Sequence, residues 1–251
     1  MEGPIEIRPG VYGMGTGKVN WYLVEHEGRL TAVDAGLPRM ATSIAKELAS
    51  IARTPADVEA VVLTHSDADR TGLAPTLRDA GARVLVHADD DATLRKPAPK
   101  RGDAGARNTL PLLFNARMWS LMWHMVHRGY AKPSSLAGAE TFCDGDVLDV
   151  PGRPLVIHTP GHTPGHCALL FAEHGALFVG DALCTWNPLT GVRAPQLMPR
   201  AFNENSSQCL ASLGRIERLE AEVVLAGHGE PFTDAPAAAV ERAREHLRIR
   251  T

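Results

Sequence analysis

The chain has no uninterrupted apolar stretch long enough to cross a bilayer. Its longest apolar region, near residues 110–126, is broken by Asn115, Arg117 and His124, whereas a spanning helix needs about 20 mostly apolar residues. The N-terminus, Met-Glu-Gly-Pro-Ile-Glu-Ile, has neither a basic n-region nor an apolar h-region, so no secretory leader and a cytoplasmic location are expected. Cysteine is sparse. Cys143, Cys167, Cys184 and Cys209 are far apart with no C-x-x-C pair, which excludes a disulfide framework and predicts reduced thiols. Basic excess is also missing: the formal net charge is −3, so no global field points to nucleic acid. No short-period repeat is evident. What remains is an ordinary soluble composition, 44% hydrophobic and 22% charged over 251 residues, long enough to bury a sizeable core. The partner this leaves is a small molecule, with no nucleic acid and no membrane, and a homodimer is open.

Taken in order, residues 5–34 alternate short apolar runs with turns. Trp21-Tyr22-Leu23-Val24 and Leu30-Thr31-Ala32-Val33 read as antiparallel strands joined at Glu27-Gly28. The second strand ends in Asp34-Ala35-Gly36. Met40, Ile44, Leu48 and Ile51 recur at helical spacing, predicting a helix from Arg39 to Ile51. A strand at 60–63, a helix near 71–80 and a strand at 83–87 follow. Residues 88–140 break this rhythm as an insertion. Lys96 to Asn108 reads as an exposed loop, and Leu110 to Arg128 is apolar nearly all round at helical spacing. Two readings of that helix stand: burial between layers or in a dimer interface, or a lid supplying an apolar substrate wall through Trp119 and Trp123. His124 and His127 read as packing or surface residues. Strands are then expected at 147–150, 155–158, 167–171 and 176–179, the last two forming a hairpin around Glu173-His174-Gly175. A helix near 204–219, a strand at 222–225 and a helix near 235–248 complete the chain. Each half offers strands followed by helices, which predicts an α/β fold, a four-layer αββα sandwich of two mixed, mainly antiparallel sheets. A single domain over 1–251 is expected.

The chemistry is concentrated at strand ends. The apolar run Ala60-Val61-Val62-Leu63 leads into Thr64-His65-Ser66-Asp67-Ala68-Asp69-Arg70-Thr71-Gly72, which places an imidazole and two carboxylates at alternate positions of a loop. Alternating donors in a loop can point at one centre, as metal ligands do. The same punctuation recurs at Thr159-Pro160-Gly161-His162-Thr163-Pro164-Gly165-His166, at Val179-Gly180-Asp181 and at Ala226-Gly227-His228-Gly229. Glycine lets the backbone turn sharply, so the side chain beside it is thrust out at the sheet edge. Four such ends carrying His, His, Asp and His point to one shared metal site.

In these motifs the chain resembles the metallo-β-lactamase fold superfamily: T-H-x-x-x-D-x-x-G, T-P-G-H-T-P-G-H, V-G-D and G-H-G follow in order from Thr64 to Gly229, preceded by Val33-Asp34-Ala35-Gly36. The resemblance implies the αββα sandwich and one or two metal ions, zinc first with iron or manganese as rivals. It implies His65 and His162 as ligands of a first metal, Asp69 and His228 as ligands of a second, and Asp181 as the carboxylate between them. Two positions depart from the family's H-x-H-x-D-H pattern. Asp67 stands where a histidine of the first site is expected; a carboxylate oxygen can still ligate there and makes the site harder. Arg70 replaces a histidine of the second site, and a guanidinium has no lone pair to give. A like-charge pair at ~4 Å and an effective dielectric near 20 costs about 4 kcal/mol per unit charge product, so the second metal is disfavoured. Arg70 either pairs with Asp69, fills the vacant lobe, or grips an anionic group of a substrate.

The activity implied is hydrolysis of an ester, thioester, lactone or amide, with metal-activated hydroxide as the nucleophile. Asp69 is the residue to orient the water or move its proton, and Asp181 fixes the metal. His166 and Asp34 read as outer supports, and Cys184 as a small buried apolar residue. The chain after His228 is too short for the added helical domain of hydroxyacylglutathione hydrolases, and the missing leader argues against a secreted β-lactamase, so a lactonase or thioesterase is expected. The alternatives are an iron-dependent oxidoreductase of the same fold and a non-catalytic protein with a decayed metal site.

Overall fold

In a computed structural model, residues 3–97, 102–103, 110–130 and 135–248 are described. Seven strands form the first sheet in sequence order: β1 (Ile5–Arg8), β2 (Val11–Gly15), β3 (Asn20–His26), β4 (Arg29–Val33), β5 (Val58–Val62), β6 (Arg83–His87) and β7 (Glu140–Phe142). β1 to β4 pair antiparallel through tight turns, of which Glu27 and Gly28 make one, both at positive φ. β4 to β7 pair parallel, because helical crossovers return the chain to the same edge each time. The second sheet runs β11-β10-β9-β8, with β8 (Leu155–His158), β9 (Cys167–Phe171), β10 (Ala176–Gly180) and β11 (Val223–Ala226).

Alternation along the strands sorts the core into layers. On β3, Tyr22 and Val24 face the second sheet, where they share a core with Leu169, Phe171 and Phe178. The intervening Trp21 and Leu23 face outward under α1 (Ile44–Ala49), α2 (Ala74–Asp79) and α3 (Ala88–Arg95) through Ile44, Leu48, Leu77 and Leu94. On β10, Ala176 and Phe178 point to the shared core and Leu177 and Val179 outward. There α5 (Ser206–Ile216) and α6 (Pro236–Arg248) cover them with Leu213, Ile216, Val240 and Ala243. This is the expected αββα sandwich of two mixed sheets.

Several expectations need correction. The helix anticipated from Arg39 to Ile51 is a 3₁₀ turn at Pro38–Thr42 followed by a short α1. Val147–Val150 forms no strand among the described residues. It makes a single bridge, Val147 to Leu155, before Pro151-Gly152 turns the chain, while Leu148 and Val150 plug the inter-sheet core. The expected loop from Lys96 to Asn108 lies largely outside the described residues, but Asp103 is held at the start of α5, its Oδ2 accepting the Ser206 amide at 2.8 Å. Helix α4 (Ala116–His127) exists at the expected place. It buries only one stripe, Leu121 and Met125 against Val19 and Leu37, and leaves Trp119, Trp123 and Val126 exposed.

Candidate metal centre

β8, β10 and β11 run in the same direction, so the loops after them emerge at one edge of the second sheet. The loop after β5 reaches the same place, where the Cys167 amide donates to Thr64 O at 2.8 Å. Glycine is required at the crossing points. A Cβ on Gly180, which has φ +48°, would sit 2.7 Å from both Thr64 Oγ1 and His166 Nε2. One on Gly227 would lie 2.3 Å from Asp181 Oδ1.

Two adjacent lobes result. In the first, the donor atoms of His65, Asp67 and His162 lie within 4.8 Å of one another. His162 Nε2 is 3.1 Å and His65 Nε2 3.6 Å from Asp67 Oδ2. Asp181 Oδ2 looks into the same space, 3.4 Å from His162 Nε2 and 3.8 Å from His65 Nε2. Both histidines are oriented from behind. His65 Nδ1–H donates to Thr64 Oγ1 at 3.0 Å, and that hydroxyl donates to Asp34 at 2.9 Å. His162 Nδ1–H donates to Asn203 Oδ1 at 3.0 Å. Each ring therefore turns Nε2 inward, the atom through which metal-ligating histidines bind, and that of His162 lies within hydrogen-bond distance of Asp67 Oδ2. His65 Nε2 is buried with no hydrogen-bond partner, a costly arrangement for a polar atom unless something takes the lone pair. Two imidazoles with carboxylate oxygens suit zinc, iron or manganese, so the residues present fit one divalent ion.

The second lobe is filled. Arg70 Nη2 lies 2.6 Å from Asp181 Oδ1, 2.8 Å from His228 Nε2 and 3.4 Å from Asp69 Oδ2. Nη1 donates to the carbonyls of Asn20 and Gly227, each at 3.3 Å, and Nε faces Asp34 Oδ2 at 3.8 Å. His228 Nδ1–H donates to Lys18 O, so in the neutral ring Nε2 accepts from the arginine. The nearby Asp181 carboxylate by itself favours the protonated ring, but that would set two N–H donors face to face at 2.8 Å, and the contact accommodates the neutral form. Burial pushes the Asp181 carboxyl up, but the Arg70 guanidinium beside it outweighs burial and holds it well below the usual carboxylate range. Asp34 goes the other way: burial raises it to about 6 against the opposing pull of Arg70.

Comparison with known proteins agrees with this geometry. Residues 14–228 match the family model described as the metallo-beta-lactamase superfamily. The chain belongs to that superfamily. It is 27% identical over 250 residues to the probable metallo-hydrolase YqjP of Bacillus subtilis (strain 168), covering 94% of this chain and 74% of that one. It is 26% identical to the probable metallo-hydrolase YflN of the same organism, covering 91% and 87%. A metallo-beta-lactamase family protein from Thermus thermophilus is 29% identical with a TM-score of 0.68, covering 96% and 80%. Membership with these relatives and this donor set makes a metal-dependent hydrolase the general class.

The residues expected at a metal, His65, Asp67, Asp69, His162, Asp181 and His228, gather within this superfamily site. Those expected at the substrate do not. The Arg70 side chain has no exposed surface and turns to carboxylates instead of a substrate. Trp119 and Trp123 line an apolar hollow on the outer side of α4 that contains no titratable group, so it is not where the chemistry lies. The pocket over the donors is walled by Leu121, Met122, Met125, Met198 and Phe202, with Tyr130 beside them. Burial, reinforced by Asp69 and Asp67, raises the Tyr130 hydroxyl well above its ordinary value. His166 is a support: Thr159 Oγ1 accepts from its Nδ1 at 2.9 Å, and its Nε2 accepts the Asp181 amide at 2.9 Å. Cys184 is fully buried. A second donor group, His87, Asp89 and His158, is poorly aimed. The two rings stack 4.3 Å apart at 7°, and in-plane lone pairs of parallel rings do not converge.

Nothing in the sequence singles out Asp90. Buried at the start of α3, it accepts from Ser66 N at 2.9 Å and Thr163 Oγ1 at 2.8 Å on one oxygen, and from Gly165 N at 2.7 Å on the other. It thereby ties the loop of His65 and Asp67 to the loop of His162. Its only local signal is membership of an acidic run at a helix start, which reads as ordinary helix-dipole compensation.

Proposed function

We propose that the protein hydrolyses a small, partly apolar ester, thioester or lactone in the pocket between the donor cluster and α4. One observation carries the reading: buried, outward-supported imidazole and carboxylate donors open directly onto a wall of Leu121, Met122, Met125, Met198 and Phe202. The metal, for which we propose zinc, would be held by His65, Asp67, His162 and Asp181, and when bound it lowers the pKa of water and polarises a carbonyl. The chain's own residues do the rest. Asp67, the most exposed of the donors with 24% of its side chain accessible, stands at the mouth, where the reacting group enters. Asp69 lines the same pocket and can take a proton from the attacking water and return it to the leaving group. The α4 wall excludes bulk water from the acyl portion and orients it by apolar contact.

The test is metal analysis of protein purified without added metal, followed by a panel of lactones, thioesters and β-lactams. Zinc with turnover of a lactone or thioester, abolished in Asp67→Ala with the fold intact by circular dichroism, is the expected result. Iron accompanied by oxygen uptake would move the protein to the oxidoreductases of this fold. Metal-free protein that turns over nothing would make the site a relic.

A further inference from the structure

We infer that Arg70 is a built-in cation standing in the place of a second metal ion, so that the protein is restricted to one metal and gains a second site when the arginine is replaced by histidine. The inference rests on the metal-dependent reading above and sharpens it.

The three side chains around the second lobe, Asp69, His228 and the Asp181 that stands between the two, each direct a donor atom at one point, and that point is occupied by Arg70 Nη2, at 3.4, 2.8 and 2.6 Å. The imidazole lone pair that a metal would use is spent on an arginine N–H, since Nδ1 of that ring already donates to Lys18 O. The guanidinium is seated, not draped. Two backbone carbonyls accept from Nη1, and Gly227 leaves the space for it, because a Cβ there would lie 2.4 Å from Nη2. Arg70 is among the largest side chains with no exposure in the molecule. It has no route to solvent that does not break its 2.6 Å ion pair with Asp181, and a buried charge stripped of its partner is strongly unfavourable. A second dication would also sit beside a permanent positive charge.

The same contacts give the arginine a purpose. It binds one oxygen of Asp181 and leaves the other, Oδ2, facing His65 and His162. It balances carboxylates that a second ion would otherwise balance, and it fixes the rotamer of Asp181 permanently. The first lobe is therefore set without any second-metal loading step.

The experiment is metal stoichiometry. Apo-protein is titrated with zinc alone by isothermal calorimetry, and metal-loaded, desalted protein is measured by plasma mass spectrometry. The native chain and Arg70→Lys are expected to saturate at one equivalent, and Arg70→His at two. Two equivalents in the native chain overturn the inference whatever the variants do, as does a folded Arg70→His that still takes one. If Arg70→His does not fold, the native titration decides. Zero equivalents in the native chain instead sinks the metal-dependent reading itself, so the two failures are distinguishable.

Discussion

Replacing Asp90 by alanine removes a side chain that joins the two ligand-bearing loops. Three donors lose a charged acceptor at once: the Ser66 amide, the Thr163 hydroxyl and the Gly165 amide, now at 2.7–2.9 Å. A hydrogen bond to a charged group is worth about 1.5–3 kcal/mol. The three share one carboxylate and are not additive, and water entering the vacated space recovers part of the loss. The expected destabilisation is about 3–5 kcal/mol, a large share of the ~5–15 kcal/mol that holds a domain together. Urea unfolding of the metal-free protein measures it without stabilisation by bound ligand. A second effect is specific to the site. His65 and Asp67 are carried by one tied loop and His162 by the other, so zinc affinity, measured by competition with a chromophoric chelator, should fall about 10–100-fold, as for other losses of outer support. Asp90→Asn should fall between. Its single carbonyl oxygen can keep Ser66 and Thr163, but its amide then meets the Gly165 N–H donor to donor. An Asp90→Ala protein within about 1 kcal/mol of the native stability, with unchanged zinc affinity, would refute the argument that this carboxylate holds the two loops in register.

Two further outcomes follow from the same contacts. His124 on α4 accepts from Arg128 at Nδ1 and donates from Nε2 to Thr16 Oγ1, both at 3.0 Å, and burial, then Arg128 and Lys18, push it down to about 4. The unfolded imidazole titrates near 6.5, so the stability tied to this residue is whole above that pH and lost as pH falls towards 4. Screening at a half-exposed site limits it to about 1 kcal/mol. Fluorescence of Trp119 and Trp123 should report α4 loosening over this range, and a step that persists unchanged in His124→Gln would count against it. For substrate, Leu121→Ala should raise KM for apolar acyl groups roughly tenfold, whereas Trp119→Ala should leave kcat/KM within about twofold of native; the reverse pattern would relocate the substrate to the outer hollow of α4.

The layered architecture was legible because its signals are local. Continuous apolar runs on β3 and β5, bounded by turns, mark strands covered on both faces, helical spacing on α5 and α6 marks the inner face of each helix, and a sandwich is the arrangement that buries both faces of each sheet. The errors also have local causes. Val147–Val150 has the alternation of a strand, and Leu148 and Val150 do face the core, but alternation records burial, not ladder pairing. The α4 segment was ambiguous for the opposite reason. It is apolar nearly all round, and residues distant in sequence, Val19 and Leu37 with Met40 and Trp186 beside them, determine that Leu121 and Met125 are the inner stripe.

At the site, the donors announced themselves because His65, Asp67 and Asp69 alternate in the loop after one strand and His162, Asp181 and His228 each follow a glycine past another, and the chain order of the four motifs is a pattern in one dimension. The residues that make the donors work have no such order. Asn203 orients His162 from 41 positions away, and Asp90 reaches Thr163 across 73; each is an ordinary polar residue until the fold closes. Arg70 lies between these cases. Its chemistry alone disqualifies it as a ligand, which the sequence states. Whether such an arginine turns out to a substrate or inward to carboxylates depends on space, and the space is set by Gly227, 157 residues later, whose missing side chain leaves room for the guanidinium and whose carbonyl accepts from it. The altered motif is thus half of a two-part device. A glycine at 227 with histidine at 70 would leave an open lobe, and an arginine at 70 with any larger residue at 227 would be pushed off Asp181, so the two positions have to be read together before the loop from His65 to Arg70 is read at all.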